Sequence, residues 1–515
     1  MLDFIDFWKG RIDRLLRQGA ESRLSDREFL EREIARWKRS SRRAMQIKGD
    51  LYYEGRHDIL CRKRTVIGED GELTEVENLP NNRIVDNQYG KLVNQKANYL
   101  LGQPFVVESR SEAYAGCLKQ IFDKRFMKTL KNAGKAALNQ GIAWMYPYYD
   151  EAGEFSFRMF PGYEVLPFWK DREHTRLDFA VRLYLAESYE GRMFRLVEKV
   201  EVYDLQGVHR FLLDGGRLVP DEDTGEQPVS ASYVTAVGGD GIPAALNWQR
   251  IPLIPIKYNE QEIPLLQKVK SLQDGINLML SDFENNMQED SRNTILVLKN
   301  YDGTNLGEFR KNLATYGAVK VRYDGETKGG VEALEVQVNP ENYRVILELL
   351  KKALMENGMG YDAKDDRLSG NPNQMNIQSM YSDIDLDAND METELQAAFE
   401  ELLWFVNVHL GNTGKGDFEG EEAVIIFNRD ILMNESEAIA NCAASAGILS
   451  DETIVGQHPW VDDPQQELER RKRQQEEAQA EWERQGYDPF RQQEDQIGKS
   501  MSKKEGDPDG KDEKV

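Results

Sequence analysis

Two striped helices separated by a β-rich insert dominate the second half of the chain. Across 264–290 the apolar positions Leu265, Val269, Leu272, Ile276, Met279, Phe283 and Met287 alternate in steps of four and three. That spacing lays one continuous stripe along a helix. A second stripe follows Pro340, with Tyr343, Ile346, Leu347, Leu350, Ala353 and Leu354, and stops at Gly358, a residue suited to closing a helix. Between them, 291–339 opens with the β-branched run Thr294–Lys299 and passes through a short helix near 307–314. It ends in two strands, 318–323 and 331–338, around a turn at Asp324-Gly325. Eighteen polar residues, 359–376, follow with little pattern, a loop long enough to suggest a function of its own. The four-three rhythm resumes at Ile377, Tyr381, Ile384, Ala388, Met391, Leu395, Ala398, Leu402 and Phe405. It predicts a helix over 377–410 that is about 50 Å long at roughly 1.5 Å per residue. A helical hairpin with its own small domain at the tip reads as a part that packs beside copies of itself.

The first half alternates differently. Residues 26–50 predict a basic helical segment with Phe29, Ile34, Trp37, Met45 and Ile47 as its apolar contacts. Short polar strands with an Asp70-Gly71 turn fill 52–80. A helix over 83–101 (Ile84, Tyr89, Leu92, Val93, Lys96, Tyr99, Leu100) is ended by Gly102-Gln103-Pro104. One helix over 112–140 precedes a β-rich stretch from 142 to about 260, with period-two runs at Phe155–Phe160 and Val200–Tyr203. Beyond the long helix the pattern predicts a strand at 423–428, helices near 435–446 and 451–456, and a polar helix over 463–485. The charged tail, 491–515, reads as disordered. Strands and helices thus fall in separate runs, and the fold class is α+β.

Composition narrows this picture. A chain of 515 residues, 40% hydrophobic and 30% charged, holds two to four structural units with ample core. No apolar run approaches the roughly 18 residues a membrane span needs. Asp3 and Asp6 leave no basic leader and no plain apolar core of a secretory signal. Residues 2–16 (Leu2, Phe4, Ile5, Trp8, Ile12, Leu15) form an amphipathic pattern that favours docking on a protein neighbour over a membrane surface. Three scattered cysteines, Cys61, Cys117 and Cys442, fit a reducing compartment. The net charge of −24 is uneven: residues 1–64 carry seventeen Lys or Arg against eleven Asp or Glu, a net of +6, leaving −30 for the rest. So acidic a body is a poor tight binder of nucleic acid, whose affinity comes from replacing counterions on phosphates. It remains a reasonable surface for DNA to slide past.

Local catalytic or metal chemistry is absent. Gly414-Lys415 fails the phosphate-loop pattern, which needs Gly at 409 and Ser or Thr at 416 and finds His409 and Gly416. Asp383, Asp385, Asp387, Asn389 and Glu394 occupy calcium-loop positions, but Ala388 stands where the sharp turn requires Gly. They also fall in phase with the long helix, so a solvated acidic helix face is expected. The five histidines, His57, His174, His209, His409 and His458, show no ligand spacing; His57 and Cys61 stand four apart with no second pair nearby. No catalytic residue, metal or cofactor is expected.

Several short segments, degenerate alone, have a telling order and spacing. They are Tyr52-Tyr53-Glu54-Gly55-Arg56-His57-Asp58-Ile59, Pro80-Asn81-Asn82-Arg83-Ile84-Val85, and Asn94-Gln95-Lys96-Ala97-Asn98-Tyr99-Leu100-Leu101-Gly102-Gln103-Pro104. Glu201-Val202-Tyr203-Asp204, Ile251-Pro252-Leu253-Ile254-Pro255 and Leu272-Gln273-Asp274-Gly275-Ile276-Asn277 follow. Ser450-Asp451-Glu452-Thr453 and His458-Pro459-Trp460-Val461-Asp462-Asp463 close the series. Over nearly its whole length the chain resembles the portal proteins of tailed bacteriophages, in the branch of long-tailed phages of Gram-positive hosts.

The resemblance implies a portal fold: an α/β wing, a helical-hairpin stem, a small α/β clip, a long helix and an α-helical crown. It places the wing at 1–260, stem helices at 261–290 and 340–358, and the clip at 291–339. The tunnel loop falls at 359–376, the long helix with a wing return strand at 377–429, and the crown at 430–490. It implies a homo-oligomeric ring, usually a dodecamer, at one capsid vertex of the virion, assembled in the host cytoplasm. Double-stranded DNA passes through its channel. Expected partners are the terminase large subunit, scaffold and major capsid protein, and a head-completion adaptor; no membrane is involved. Lys364, Arg367, Asn371 and Asn373 are candidate tunnel-loop contacts, with a weak grip because Asp362, Asp365 and Asp366 surround the cations. Lys268, Lys270, Lys351 and Lys352 are candidate sparse cations of a mainly acidic lumen. Leu272, Ile276 and Leu350 are candidate subunit-interface residues. Gly275, which lowers helix propensity by about 1 kcal/mol relative to Ala, suggests a kink or close helix contact. The rival readings are a phage-encoded nuclease or hydrolase with a scattered site, and a cellular scaffold or peripheral membrane protein.

Overall fold

The computed structural model describes residues 27–67, 72–75, 79–190, 193–221, 229–237, 243–290, 295–299, 330–334, 340–362, 374–429, 435–461 and 464–484. The expectations over 1–26, 307–314, 318–323 and 491–515 lie outside these residues. The chain divides into two compact units, one of residues 1–363 and 380–431, the other of 364–379 and 432–515.

The first unit opens with α1 (Arg27–Lys38) and α2 (Ser41–Tyr53) where one basic helical segment is expected. Ser40 interrupts it, because its side chain accepts from the Arg43 N–H and starts a new helix. A 3-10 turn (Asp58–Cys61) and a hairpin of β1 (Thr65–Ile67) and β2 (Leu73–Glu75) lead to α3 (Gln88–Leu101). The helix expected from 83 therefore starts five residues late. Asn87 caps it, its Oδ1 accepting from the Gly90 N–H at 2.7 Å, while 80–87 are committed elsewhere. After β3 (Val106–Ser109), the single helix expected over 112–140 is two, α4 (Glu112–Ile121) and α5 (Lys124–Gln140). Asp123 makes the break by accepting from the N–H groups of Arg125 and Phe126, each at 2.9 Å.

Strands β4 (Ile142–Tyr149), β5 (Phe155–Pro161), β6 (Val165–Trp169), β7 (Leu177–Glu190), β8 (Met193–Asp204), β9 (Gly207–Asp214), β10 (Arg217–Pro220), β11 (Ser230–Ala231), β12 (Val234–Val237), β13 (Pro243–Leu246) and β14 (Ile254–Lys257) follow. They form antiparallel sheets: β14-β4-β5; β10-β9-β8-β7-β6 with β11 on β9; and the β12–β13 hairpin. Trp144, Phe160, Val165, Ala180, Tyr203, Ile251 and Leu253 form a core that joins the first two sheets. The other face of the larger sheet, with Phe179, Val181, Leu183, Val200 and Val202, is covered by Leu30 and Ile34 of α1.

Then come α6 (Leu265–Asp290), β15 (Ile295–Lys299), β16 (Gly330–Leu334), α7 (Pro340–Asn357), α8 (Gln374–Asn412) and β17 (Ala423–Ile426). The three helices stand where the apolar spacing puts them. β16 pairs antiparallel with β15, Ile295 opposite Leu334. α6 and α7 run antiparallel, Phe283 packing on Tyr343 with ring centroids 4.9 Å apart. A methyl on Gly275 would meet Leu350 Cδ1 at an ordinary 3.8 Å, so the expected close approach is not found, and α6 continues through it. β17 returns to pair with β3, over a knot of Phe105, Phe122, Phe126, Phe399 and Phe427. The second unit holds α9 (Glu435–Ser445), α10 (Asp451–Gly456) and α11 (Pro464–Arg484). The Ser450 hydroxyl caps α10 by accepting from the Thr453 N–H at 3.3 Å. Helical and antiparallel regions are segregated, as an α+β chain requires.

Candidate functional site

The helical hairpin α6–α7 carries most of the expected functional residues, and a row of buried polar side chains fixes it to the body. Gln273, Asn277, Ser281 and Asn285 recur every four residues along α6 and are all 0% exposed. Each accepts from a backbone N–H of the segment leading into α3 or of its first turn. The N–H of Asn82 bonds Asn285 Oδ1 at 2.7 Å, Ile84 bonds Ser281 Oγ at 3.0 Å, Asp86 bonds Asn277 Oδ1 at 3.0 Å, and Tyr89 bonds Gln273 Oε1 at 2.9 Å. Four helical residues advance about 6 Å and two extended residues about 6.6 Å, so the two chains nearly keep step. Two segments that carry the sequence resemblance, 80–85 and 272–277, lie on the two stretches joined in this way. Asn277 Nδ2 also donates to His57 Nδ1 at 2.8 Å, while His57 Nε2 lies 2.9 Å from the Tyr52 carbonyl. Only the neutral ring protonated on Nε2 satisfies both contacts, and burial pushes the His57 pKa down accordingly.

The four candidate cations of this hairpin differ in their surroundings. Lys270 Nζ is 2.5 Å from Asp274 Oδ2 and 2.8 Å from Asp58 Oδ2. Burial opposes its charge, but the bonds to Asp274 and Asp58 win and hold its pKa above the usual lysine value. Lys351 Nζ is 2.6 Å from Asp86 Oδ2. Lys268 is exposed, with Nζ 5.3 Å above the Tyr258 ring. Lys352 is exposed, with Glu356 3.9 Å away. Three of the four therefore lie within reach of carboxylates of their own chain, Lys270 and Lys351 closely and Lys352 only loosely.

Beyond α7 the chain is clamped at the start of the expected tunnel loop. Lys96 Nζ donates to the Met359 carbonyl at 3.1 Å and to Asp387 Oδ2 at 2.5 Å, and Gln95 Nε2 donates to the Tyr361 carbonyl at 3.0 Å. Tyr258 OH completes the cluster by donating to Asp387 Oδ1 at 2.7 Å. Burial pushes the Lys96 pKa down to about 8, against the pull of Asp387. The chain passes so close to Leu92 that a methyl on Gly358 or Gly360 would lie 2.3 or 2.4 Å from its methyl groups. Tyr99 OH donates to Asp385 Oδ1 at 2.9 Å, and Arg429 pairs with Asp385 and Glu392. The acidic positions 383–394 are thus not uniformly solvated: Asp387 is buried and Asp385 is engaged. Lys364, Arg367, Asn371 and Asn373 lie outside the described residues.

Ile276 is 0% exposed within its own chain, whereas Leu272 and Leu350 are half-buried. Of the hairpin's exposed apolar residues, Met287 and Ile346 belong to the sequence stripes, whereas Leu278, Val345 and Leu349 were missed. Val345, Ile346 and Leu349 project from α7, and Leu278 and Met287 from α6. Leu278 and Met287 are nine residues apart, which at about 100° each puts them on opposite flanks of α6. The signal was present in the sequence as a second apolar row beside each main stripe. Among the described residues no group of three or more His, Cys, Asp or Glu is placed to hold a metal ion. No helix among them is long and apolar enough to cross a membrane.

Comparison with known proteins follows the same lines. Residues 30–481 match the family model of phage portal proteins, SPP1 Gp6-like. The portal protein of Bacillus phage SPP1 is 31% identical over 427 residues, spanning 82% of each chain. The portal protein of Clostridium phage phiCD119 is 25% identical over 436 residues, 82% of this chain and 91% of that protein. A solved chain from the virion of a native gene transfer agent particle aligns over 71% of this chain and 88% of its own, at 11% identity and a TM-score of 0.37.

Proposed function

Because the chain belongs to the SPP1 Gp6-like family of phage portal proteins, we propose that identical copies close head to tail into a ring of about twelve at one capsid vertex, and that double-stranded DNA enters and leaves through its bore. The observation that carries this reading is the pair of apolar flanks on the helical hairpin. A head-to-tail ring joins two different faces of each copy, and Leu278 and Met287 offer apolar surface on opposite sides of α6. Half-buried Leu272 and Leu350 lie at the edges of the same contact.

On this reading 1–260 form the wing, 261–290 and 340–358 the stem, and 291–339 the clip. Residues 359–376 form the tunnel loop, 377–429 the long helix with its return strand, and 430–490 the crown. A stem helix of 26 residues is about 39 Å long, and duplex DNA carries one charge per roughly 1.7 Å, so the stem faces over twenty phosphates. A dense cationic lining would grip them. With Lys270 and Lys351 held by Asp58, Asp274 and Asp86, Lys268 and Lys352 remain as sparse contacts, which suits sliding. The tunnel loop, with Lys364, Arg367, Asn371 and Asn373, acts as a gate rooted on Lys96.

The family's naming supports a structural, non-enzymatic role, and nothing supports the nuclease alternative. The work of packaging then comes from a terminase large subunit docked on the clip, later replaced by a head-completion adaptor. Scaffold and major capsid protein hold the ring in the virion shell after assembly in the host cytoplasm. Negative-stain images of the purified protein test this: a hollow turret of roughly twelvefold symmetry is expected, and compact monomers or dimers at every concentration would overturn it. Shortening 361–373 should leave rings intact and impair DNA retention; normal retention of full-length DNA would remove the gate from the account.

A further inference from the structure

Helices α5 and α8 approach each other antiparallel at two points. Phe126 meets Phe399 with ring centroids 6.0 Å apart, and a methyl on Gly134 would lie 3.4 Å from Met391 Cε. Eight residues along one helix correspond to eight back along the other. Their buried sides face each other, so their outer sides point away from one another. On α5 the outer side is basic: Lys124, Lys128, Lys131 and Lys135 fall within about 60° of arc at 100° per residue. None of the four makes an ion pair among the described residues; Lys135 donates to Tyr53 OH at 3.2 Å. Like charges spaced three and four apart oppose their own helix, and no carboxylate among the described residues offsets them.

The outer side of α8 is the converse. Asp383, Asp390 and Glu400 are exposed on one side of that helix with Leu386, 58% exposed, and none of the three acids makes an ion pair among the described residues. In the shared register Asp390 stands level with Lys135 and Glu400 level with Arg125. One chain thus presents a basic stripe and an acidic stripe at one height on opposite sides of a helical layer.

We infer that the α5 lysine stripe of one copy docks on the α8 carboxylates of the next copy, a second head-to-tail contact distinct from the hairpin. The inference rests on the ring reading above. A second copy fits better than nucleic acid because the complement is carried by the same chain at the same level, and a head-to-tail ring brings those two sides together at every joint. Chains of net charge −24 repel one another, and paired stripes offset that repulsion locally. The lysine methylenes also cover Leu386, leaving their heads on the acids.

Charge exchange in the full-length protein tests this. Lys128→Glu with Lys131→Glu makes both sides acidic; Asp390→Lys with Glu400→Lys makes both basic. Each variant alone should raise the concentration at which rings form by about tenfold or more, because like charges then face each other. An equal mixture of the two should recover the wild-type midpoint by alternating around the ring, and so should the chain carrying all four changes. Native mass spectrometry and sedimentation read the species present. Wild-type midpoints in either single-side variant, or no recovery on mixing, would overturn the contact while leaving the ring standing. A basic-side variant that assembles normally but loses affinity for duplex DNA would reassign the stripe to nucleic acid. A wild-type chain that never assembles would remove both readings.

Discussion

Lys96 and Asp387 form an ion pair with 2.5 Å between Nζ and Oδ2, their side chains 3% and 8% exposed. The pair ties α3 to α8, and through the Met359 carbonyl it also fixes the end of the helical hairpin. Removing one partner strands the other charge away from water. Asp387→Asn should therefore destabilise the first unit by about 3–5 kcal/mol. Replacing both partners by apolar residues should cost less than that single change. Urea unfolding of the two variants beside wild type checks the ordering.

The same lysine gives a pH signature. Its pKa is pushed from 10.5 in the free side chain to about 8 in the fold. Between these values the unfolded chain binds more protons than the folded one, so stability rises with pH across that window. Below about pH 8 both states hold the proton and the slope vanishes. Wild type should gain on Lys96→Met from pH 8 to 10 in matched unfolding curves. A difference independent of pH would mean that Lys96 keeps its proton when buried.

Asn277 has three partners that no substitute reproduces: the Asp86 N–H, a ring nitrogen of His57 and the Gln273 amide. Asn277→Ala should cost about 1–3 kcal/mol, because it orphans buried polar groups as well as losing bonds. Ser281→Ala, which removes one accepted bond from the Ile84 N–H, should cost less. Denaturant midpoints of the two variants test the ranking.

Glu262 is a buried carboxylate met by two cations and a histidine. His174 Nδ1 stands 2.8 Å and Lys257 Nζ 3.7 Å from Oε1, and Arg42 pairs with Oε2. Burial raises its pKa, but the bond from His174 and the charges of Arg42 and Lys257 prevail and hold it at about 2, below the usual 4.5. A depressed carboxylate pKa stabilises the fold above pH 4.5, and that contribution is lost as pH falls toward 2. Glu262→Gln should destabilise at pH 7 by on the order of 3 kcal/mol and flatten the acid limb of the stability curve. Acid unfolding followed by circular dichroism provides the measurement.

Leu349 is 62% exposed on α7, so a charge there meets solvent in a single chain. Leu349→Asp should leave unfolding within about 0.5 kcal/mol of wild type yet reduce the ring fraction sharply. Unchanged rings in sedimentation would take this face out of the subunit contact.

The sequence stripes located α6, α7 and α8 almost to the residue, because each helix buries a full-length apolar row whose period survives any tertiary arrangement. Other features depend on partners far away along the chain. Gln273, Asn277, Ser281 and Asn285 look like a solvated face by spacing alone; their burial follows from residues 82–89, which the phase of Ile84 and Tyr89 assigns to a helix. Lys270 and Lys351 look free until Asp58 and Asp86 arrive beside them. Val345 and Leu349 stay exposed on α7, a fact that depends on which side α6 takes. The caps at Ser40 and Asp123 were legible as residue types, but the apolar rhythm on both sides outweighed them.

The bonds between α6 and residues 82–89 constrain chain length as well as sequence. Three of the four rungs read alternate residues, 82, 84 and 86, so a single inserted or deleted residue among them reverses parity and turns the wrong amides toward α6. The mismatch between the two strides is about 0.6 Å per rung, small enough for three rungs to keep step before the last comes from Tyr89 in the first turn of α3. This short run therefore works as a vernier. Evolution is free to rewrite its side chains but not its count, and an indel there should be rarer among related chains than in any surface turn of the sheets.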